Sequence, residues 1–128
     1  MKLLLDSHSF IWWRDDPRKL SSIAFTEISN PHNDVFLSVA TVWELQIKIA
    51  LNKFTIKGGL ENAVKQEQQN NGFQILPVEL SHALYLENLP PHHKDPFDRL
   101  LISQAIVENM TLVSADADFA KYQANLLW

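Results

Sequence analysis

The sequence predicts an α/β protein in which helices pack against a mainly parallel β-sheet. Short continuous apolar runs alternate along the chain with stretches of helical periodicity, which is the order of elements in such folds. The runs lack the alternation of half-exposed strands, so they are typical of strands that are buried on both faces. At 128 residues and without a linker or repeat, the chain is expected to form a single domain, residues 1–128.

Five segments are predicted as strands from their apolar character and from the turn residues that bound them. The third ends at Pro77, which cannot donate to a sheet. The last is expected at the edge of the sheet. The segments are residues 2–5, 35–38, 73–76, 111–114 and 124–127.

Seven segments are predicted as helices. The clearest start is Asp95-Pro96, because aspartate is a favoured N-cap and proline is favoured at the first helical position. The segments are residues 8–14, 20–29, 39–52, 60–70, 79–88, 96–108 and 116–122.

Composition narrows the class of protein further. No cysteine is present, which excludes a disulfide framework and a thiolate metal site. No apolar run approaches the ~18 residues of a membrane span, so we expect a cytoplasmic protein with no membrane partner. The net charge of −4 argues against a broad basic surface for nucleic acid.

Two aspartates follow predicted strands. Asp6 comes directly after the first strand and Asp116 after the fourth. The carboxyl ends of parallel strands meet at one edge of a sheet, where ligands bind. Each residue could equally serve only as the N-cap of the helix that follows it.

Two further acids lie in predicted helices. On a helical wheel Glu44 shares an apolar face with Trp43 and Ile47, an expensive place for a charge. An ion pair with Lys48 at i,i+4 is the structural alternative. Asp98 lies in a first helical turn, where a carboxylate is favourable by itself, so a structural role and metal ligation are equally open.

Together these four acids predict a site for a divalent cation, because converging carboxylates repel one another unless a cation lies between them. Asp95 is expected to act only as a helix cap, and His92 and His93 are expected at the surface. The four tryptophans are expected in the core or at an interface. Arg14, Lys48, Lys53 and Arg99 are candidates for phosphate contacts, and Arg99 alone lies beside a proposed ligand in sequence.

The arrangement resembles a known family. The stretches that carry the resemblance are Met1–Ser7, Ser38–Glu44, Asp95–Ala105 (DPFDRLLISQA) and Leu112–Phe119. They are similar to PIN domains, specifically to the VapC-type toxin ribonucleases of bacterial type II toxin–antitoxin systems. The segment DPFDRLL is the most specific of them, and the resemblance extends over nearly the whole chain.

This resemblance implies a three-layer α/β/α sandwich with strand order 3-2-1-4-5. It also implies a Mg²⁺- or Mn²⁺-dependent endoribonuclease that hydrolyses RNA, forms a homodimer and is blocked by a cognate antitoxin protein. By position, Asp6, Glu44, Asp98 and Asp116 match the catalytic and metal-binding acids, with Asp118 as a reserve for the fourth. Ser7, Ser114, Asp118 and Arg99 are weaker candidates for substrate binding.

Two other functions are compatible with parts of the sequence. A catalytically silent PIN-type module could act as a scaffold, although such a module has no need for buried charges. A phosphoacceptor receiver domain also has an acid after its first strand. That domain needs an aspartate after strand three, where this chain has Leu76-Pro77.

Overall fold

The computed structural model describes all residues from Met1 to Trp128. Five strands form one sheet in the order β3-β2-β1-β4-β5, and every neighbouring pair is parallel. The predicted fold class and strand order are therefore confirmed. The strands are β1 (Lys2–Leu5), β2 (Asp34–Ser38), β3 (Gln74–Leu76), β4 (Thr111–Val113) and β5 (Asn125–Leu127).

Six α-helices connect the strands, and three short 3₁₀ helices occur in the connections. The helices are α1 (Ser7–Asp15), α2 (Ser22–Ser29), α3 (Val39–Ala50), α4 (Leu60–Asn71), α5 (Leu80–Tyr85) and α6 (Pro96–Val107). The 3₁₀ helices are Pro17–Lys19, Leu86–Asn88 and Ala117–Lys121.

Three predicted helices differ from the observed ones. Helix α2 begins later than predicted because the Ser21 hydroxyl caps it, accepting from the Ala24 N–H at 3.0 Å. The segment predicted as helix 79–88 is helical in α5 and then continues as a 3₁₀ turn. The segment predicted as helix 116–122 is only a 3₁₀ helix, a form typical of such short pieces.

The central strand β1 divides the core into two parts. Leu3 and Leu5 pack into one apolar cluster with residues of α1, α2 and α4, whereas Leu4 packs into a second cluster with residues of α6. All three leucines are fully buried. Successive side chains of a strand point to opposite faces, so this continuous apolar run is what a sheet covered on both sides requires.

A buried polar bridge joins β2 and α3 to α6. The Ser38 hydroxyl caps α3 and donates to Gln104 Oε1 at 2.6 Å, and Gln104 Nε2 donates to the Pro77 carbonyl at 3.2 Å. Buried polar groups that are fully paired specify one arrangement of their elements. This bridge therefore fixes the relative position of the two helices that carry Glu44 and Asp98.

None of the helices has the length and apolar character needed to cross a bilayer.

Candidate metal centre

A cleft of about 170 Å³ lies at the carboxyl edge of the sheet and contains all four predicted acids. A fifth carboxylate and one lysine also contribute to it. Elements that are far apart in the chain supply these side chains. The lining residues are Asp6, Ser7, His8, Glu44, Lys48, Asp95, Asp98, Asp116 and Phe119.

Asp6 is positioned by the end of β1 and the start of α1. Its Oδ1 accepts from the Ser9 N–H at 2.8 Å, which caps the helix, and its side chain lines the cleft. Burial raises the pKa of this carboxyl, while hydrogen bonds from Ser114 and Ser9 act in the opposite direction. The capping and cleft roles considered for Asp6 thus occur together.

Glu44 lies one turn into α3 and is 6% exposed. Its Oε2 accepts from Lys48 Nζ at 2.8 Å, so the predicted i,i+4 pair is present. The two apolar residues predicted to share a face with Glu44 are not buried: Trp43 is 61% and Ile47 is 38% exposed. Glu44 instead lies at the boundary between the buried and exposed faces of the helix, where its carboxylate can face the cleft.

Asp98 lies in the first turn of α6 and is half-buried in the cleft. Its pKa is raised to about 6, first by burial and then by the negative charges of Asp95 and Glu44, with a smaller opposing effect of His93. Carboxylate oxygens of Glu44, Asp95 and Asp98 lie within 4.8 Å of one another. The crowding of like charges predicted from the sequence is therefore present at this residue.

The prediction that Asp95 acts only as a cap is incomplete. Its Oδ1 does cap α6 by accepting from the Phe97 N–H at 2.8 Å. Its carboxylate also lines the cleft, with an oxygen within 4.8 Å of carboxylate oxygens of Glu44 and Asp98. The sequence could have indicated this role, because Asp95 lies three residues before Asp98 and both therefore lie at the same end of α6.

The prediction that His93 lies at the surface is wrong. Its side chain is 8% exposed, its ring stacks on Phe119, and its nitrogens bond Tyr122 Oη at 3.0 Å and Asp116 Oδ2 at 3.1 Å. Ligand atoms of His93, Asp98 and Asp116 lie within 4.8 Å of one another. No local pattern around His93 reveals this, because the contact crosses from the loop before α6 to the loop after β4.

The remaining polar candidates divide into two groups. Ser7 lines the cleft, and the buried Ser114 hydroxyl accepts from the Asp116 N–H at 3.0 Å. Asp118 is exposed, pairs with Lys121 at 3.0 Å and does not line the cleft. The structure therefore places Asp116, rather than the reserve candidate Asp118, with the other acids.

Two basic residues proposed for phosphate contacts lie elsewhere. The Arg99 guanidinium donates to the backbone carbonyls of Pro90, Leu86 and Leu89, because its position on α6 directs it toward the preceding loop. Arg14 pairs with Glu67 at 2.8 Å. Neither residue lines the cleft, and Lys48 is the basic side chain that does.

The donor set of the cleft fits a hard divalent cation. Five carboxylates and the His8 imidazole line a small volume with a single lysine to balance them, and a second imidazole, that of His93, has a nitrogen within 4.8 Å of carboxylate oxygens of Asp98 and Asp116. Carboxylate oxygens of this kind suit Mg²⁺ or Mn²⁺. Burial first, and then the negative charges of Asp95 and Glu44, raise the pKa of Asp98, and a bound cation would offset both effects.

The fold and the cleft together define a class of α/β proteins, in which a parallel 3-2-1-4-5 sheet carries an acidic centre at its carboxyl edge. The family model described as "PIN domain" matches residues 3–125. The chain belongs to the PIN domain family, whose members are generally nucleases that use a divalent metal. A comparison with curated proteins finds no match.

Several solved structures contain chains of similar fold. One is VapBC2 from Rickettsia felis bound to a promoter DNA fragment, with a TM-score of 0.74, 18% identity and coverage of 99% of this chain and 98% of that one. Another is FitAcB from Neisseria gonorrhoeae, with a TM-score of 0.63, 19% identity and coverage of 98% and 96%. A third is VapBC-5 from Mycobacterium tuberculosis, with a TM-score of 0.58, 17% identity and coverage of 98% and 95%.

Proposed function

We propose that this protein is a Mg²⁺- or Mn²⁺-dependent endoribonuclease that acts as the toxin of a toxin–antitoxin pair in the cytoplasm. The observation that carries the proposal is the convergence of five carboxylates from four separate segments of the chain in one cleft of a PIN domain. Burying charges in this way costs stability, so a purely structural role does not account for it. The same observation disfavours the alternative of a catalytically silent scaffold.

Asp6, Glu44, Asp98 and Asp116 would hold the cation, with Asp95 and His93 beside them. When bound, such a cation supplies charge stabilisation at the phosphate and makes water a better nucleophile. The protein contributes the fixed arrangement of these groups. Lys48 holds the Glu44 carboxylate, and His93 together with the backbone N–H of Asp118 holds Asp116.

The test of this function is the double variant Asp6→Asn, Asp98→Asn. Amide side chains preserve the shape of the cleft and remove two of its charges, so we expect neither calorimetric binding of Mn²⁺ nor cleavage of a labelled RNA. The matched control is Asp34→Asn, since Asp34 is an exposed acid at the opposite end of β2. Cleavage by the double variant at the wild-type rate would refute the assignment. A wild-type protein that binds neither metal would favour the scaffold.

The proposed partners follow from the same family. One structure of similar fold is of a member of the VapBC family of toxin–antitoxin systems, and we propose that a cognate antitoxin protein binds this chain and blocks its cleft. RNA is the proposed substrate.

We further propose that the protein forms a homodimer through apolar side chains that the monomer leaves exposed. Val39, Trp43, Ile47 and Leu51 form a stripe at i,i+4 spacing along α3, and Leu80 and Leu84 form another along α5. Contiguous exposed apolar surface of this kind is typical of association sites.

The variant Leu84→Glu should dissociate the dimer, because Leu84 is 63% exposed and a buried unpaired glutamate in an interface is costly. Light scattering on a sizing column should report a monomer at micromolar concentration, while Leu84→Met remains dimeric. Identical masses for wild type and Leu84→Glu would contradict this interface.

A further inference from the structure

A second groove adjoins the acidic cleft. It has a volume of about 530 Å³ and lies between the start of α1 and the loop that follows α3. His8 lines both the cleft and this groove, so the two lie side by side. We call it the lysine groove and define it by His8, Trp12, Phe54, Lys19, Lys53 and Lys57.

The three lysines of the lysine groove have no ion-pair partner, whereas its two acids each have a hydrogen-bond or ion-pair partner. Lys19, Lys53 and Lys57 are exposed and make no ion pair within the chain. The two acids that also line the groove are already engaged. Asp15 accepts from the Lys57 backbone N–H at 3.0 Å, and Asp16 pairs with Arg18 at 3.3 Å. Asp15 and Asp16 keep their negative charge, but with Arg18 beside Asp16 four basic side chains (Lys19, Lys53, Lys57 and Arg18) oppose these two acids in and beside the groove. The groove therefore carries net positive charge next to a strongly negative cleft.

Aromatic rings form the apolar part of the groove. The His8 ring lies edge-on to Phe54 with centroids 5.1 Å apart, and it lies 5.4 Å from Trp12. Trp12 and Phe54 are half-buried, which holds the rings in place while leaving part of each exposed in the groove. Fixed aromatic faces interleaved with lysines are the features by which proteins bind single-stranded nucleic acid, through base stacking and phosphate contacts.

We propose that the lysine groove binds a single-stranded segment of the RNA substrate and directs its backbone into the acidic cleft. The inference rests on the proposed function. The phosphates would contact Lys53, Lys57 and Lys19, and a base would stack on Trp12 or Phe54. This arrangement explains how a protein with a net charge of −4 holds RNA, because the positive charge is local. Such contacts recognise an unpaired strand and do not distinguish its base sequence.

The test measures RNA binding without catalysis. A fluorescently labelled single-stranded RNA of about ten nucleotides is titrated in EDTA, and the anisotropy is followed at several salt concentrations. For Lys53→Ala, Lys57→Ala we expect binding weakened roughly tenfold. The slope of log K against log salt should fall by about 1.4, since each lost phosphate contact on a single strand contributes about 0.7. Both side chains are exposed, and the backbone bond from Lys57 to Asp15 is retained.

The matched control is Lys2→Ala, Lys65→Ala, which removes the same charge from exposed lysines outside the groove. It should leave affinity and slope close to wild type. Equal weakening in both double variants, or none in the groove variant, would overturn the proposal. The second of these results is also the one expected if the groove binds a peptide segment of a protein partner instead.

A cross-linking experiment that locates the bound RNA on the protein tests this inference separately from the proposed function. RNA containing 4-thiouridine, irradiated in complex with the protein in EDTA, should cross-link to peptides that contain residues 8–19 or 53–57. Cross-links confined to other peptides would exclude the groove. Binding and cross-linking need neither cation nor cleavage, so an inactive protein could still show the groove, and an active ribonuclease could fail to show it.

Discussion

The variant Asp98→Asn is expected to be more stable than wild type in the absence of a divalent cation at pH 7.5, by about 1–2 kcal/mol. The pKa of Asp98 is raised to about 6, so the folded protein binds a proton at this carboxyl more tightly than the unfolded chain does. One pKa unit corresponds to about 1.4 kcal/mol, and we reduce the full figure because the residue is only half-buried. Asparagine has nearly the same shape as aspartate but carries no charge, so the substitution removes the unfavourable ionisation at this position.

The pH dependence follows from the sign of this shift. Between about pH 4 and pH 6 the folded state holds more protons at Asp98 than the unfolded state, so stability falls as pH rises through this interval and remains lower above it. The difference between Asp98→Asn and wild type should therefore be near zero at pH 4 and largest above pH 6. Denaturant titrations in EDTA at both pH values measure it.

Binding of a cation should make the wild-type protein more stable than Asp98→Asn. A ligand that binds only the folded state stabilises it according to its concentration and affinity, so excess Mn²⁺ should raise the midpoint of wild type and have little effect on Asp98→Asn. RNA cleavage by the variant should fall at least about a hundredfold, because even indirect disturbance of a metal site costs 10–100-fold. A variant less stable than wild type in EDTA at pH 7.5 would contradict the raised pKa of Asp98 in the folded protein.

Glu67→Ala is expected to destabilise the fold by about 3–5 kcal/mol, the usual cost of breaking a buried ion pair by removing one partner. Glu67 is 4% exposed on α4. It accepts from Arg14 Nη1 at 2.8 Å and from Trp13 Nε1 at 2.6 Å. Arg14 Nε is already buried without a partner, so losing the carboxylate would leave this charge unpaired. The bridge ties α4 to α1, which begins at the cleft residue Asp6.

Glu61→Ala is the matched control, since it removes the same residue type from the same helix. Glu61 forms an exposed i,i+4 pair with Lys65, and exposed pairs contribute little. Thermal melts should show a fall of roughly 10 °C or more for Glu67→Ala and a small change for Glu61→Ala. Comparable losses in the two variants would mean that the buried bridge is no more important than a surface pair.

The sheet could be predicted because its signal is local. The run Leu3-Leu4-Leu5 is continuous since both faces of β1 are covered, and the start of α6 is marked by the Asp95 cap and the following proline. Strand order came from the family resemblance rather than from the residues themselves. Segment ends were less accurate, as at α2, because a single serine cap moved the boundary.

Local patterns in the chain were enough to predict which acids end strands or begin helices, and hence that Asp6 and Asp116 lie at one edge of a parallel sheet. Three other features became visible only in the folded molecule: His93 bonds Asp116, Asp95 faces the cleft, and Arg99 points away from it. The difference is one of distance along the chain. Strand and cap signals depend on neighbours within a few residues, whereas the surroundings of a side chain depend on packing between segments tens of residues apart, such as the 23 residues that separate His93 from Asp116.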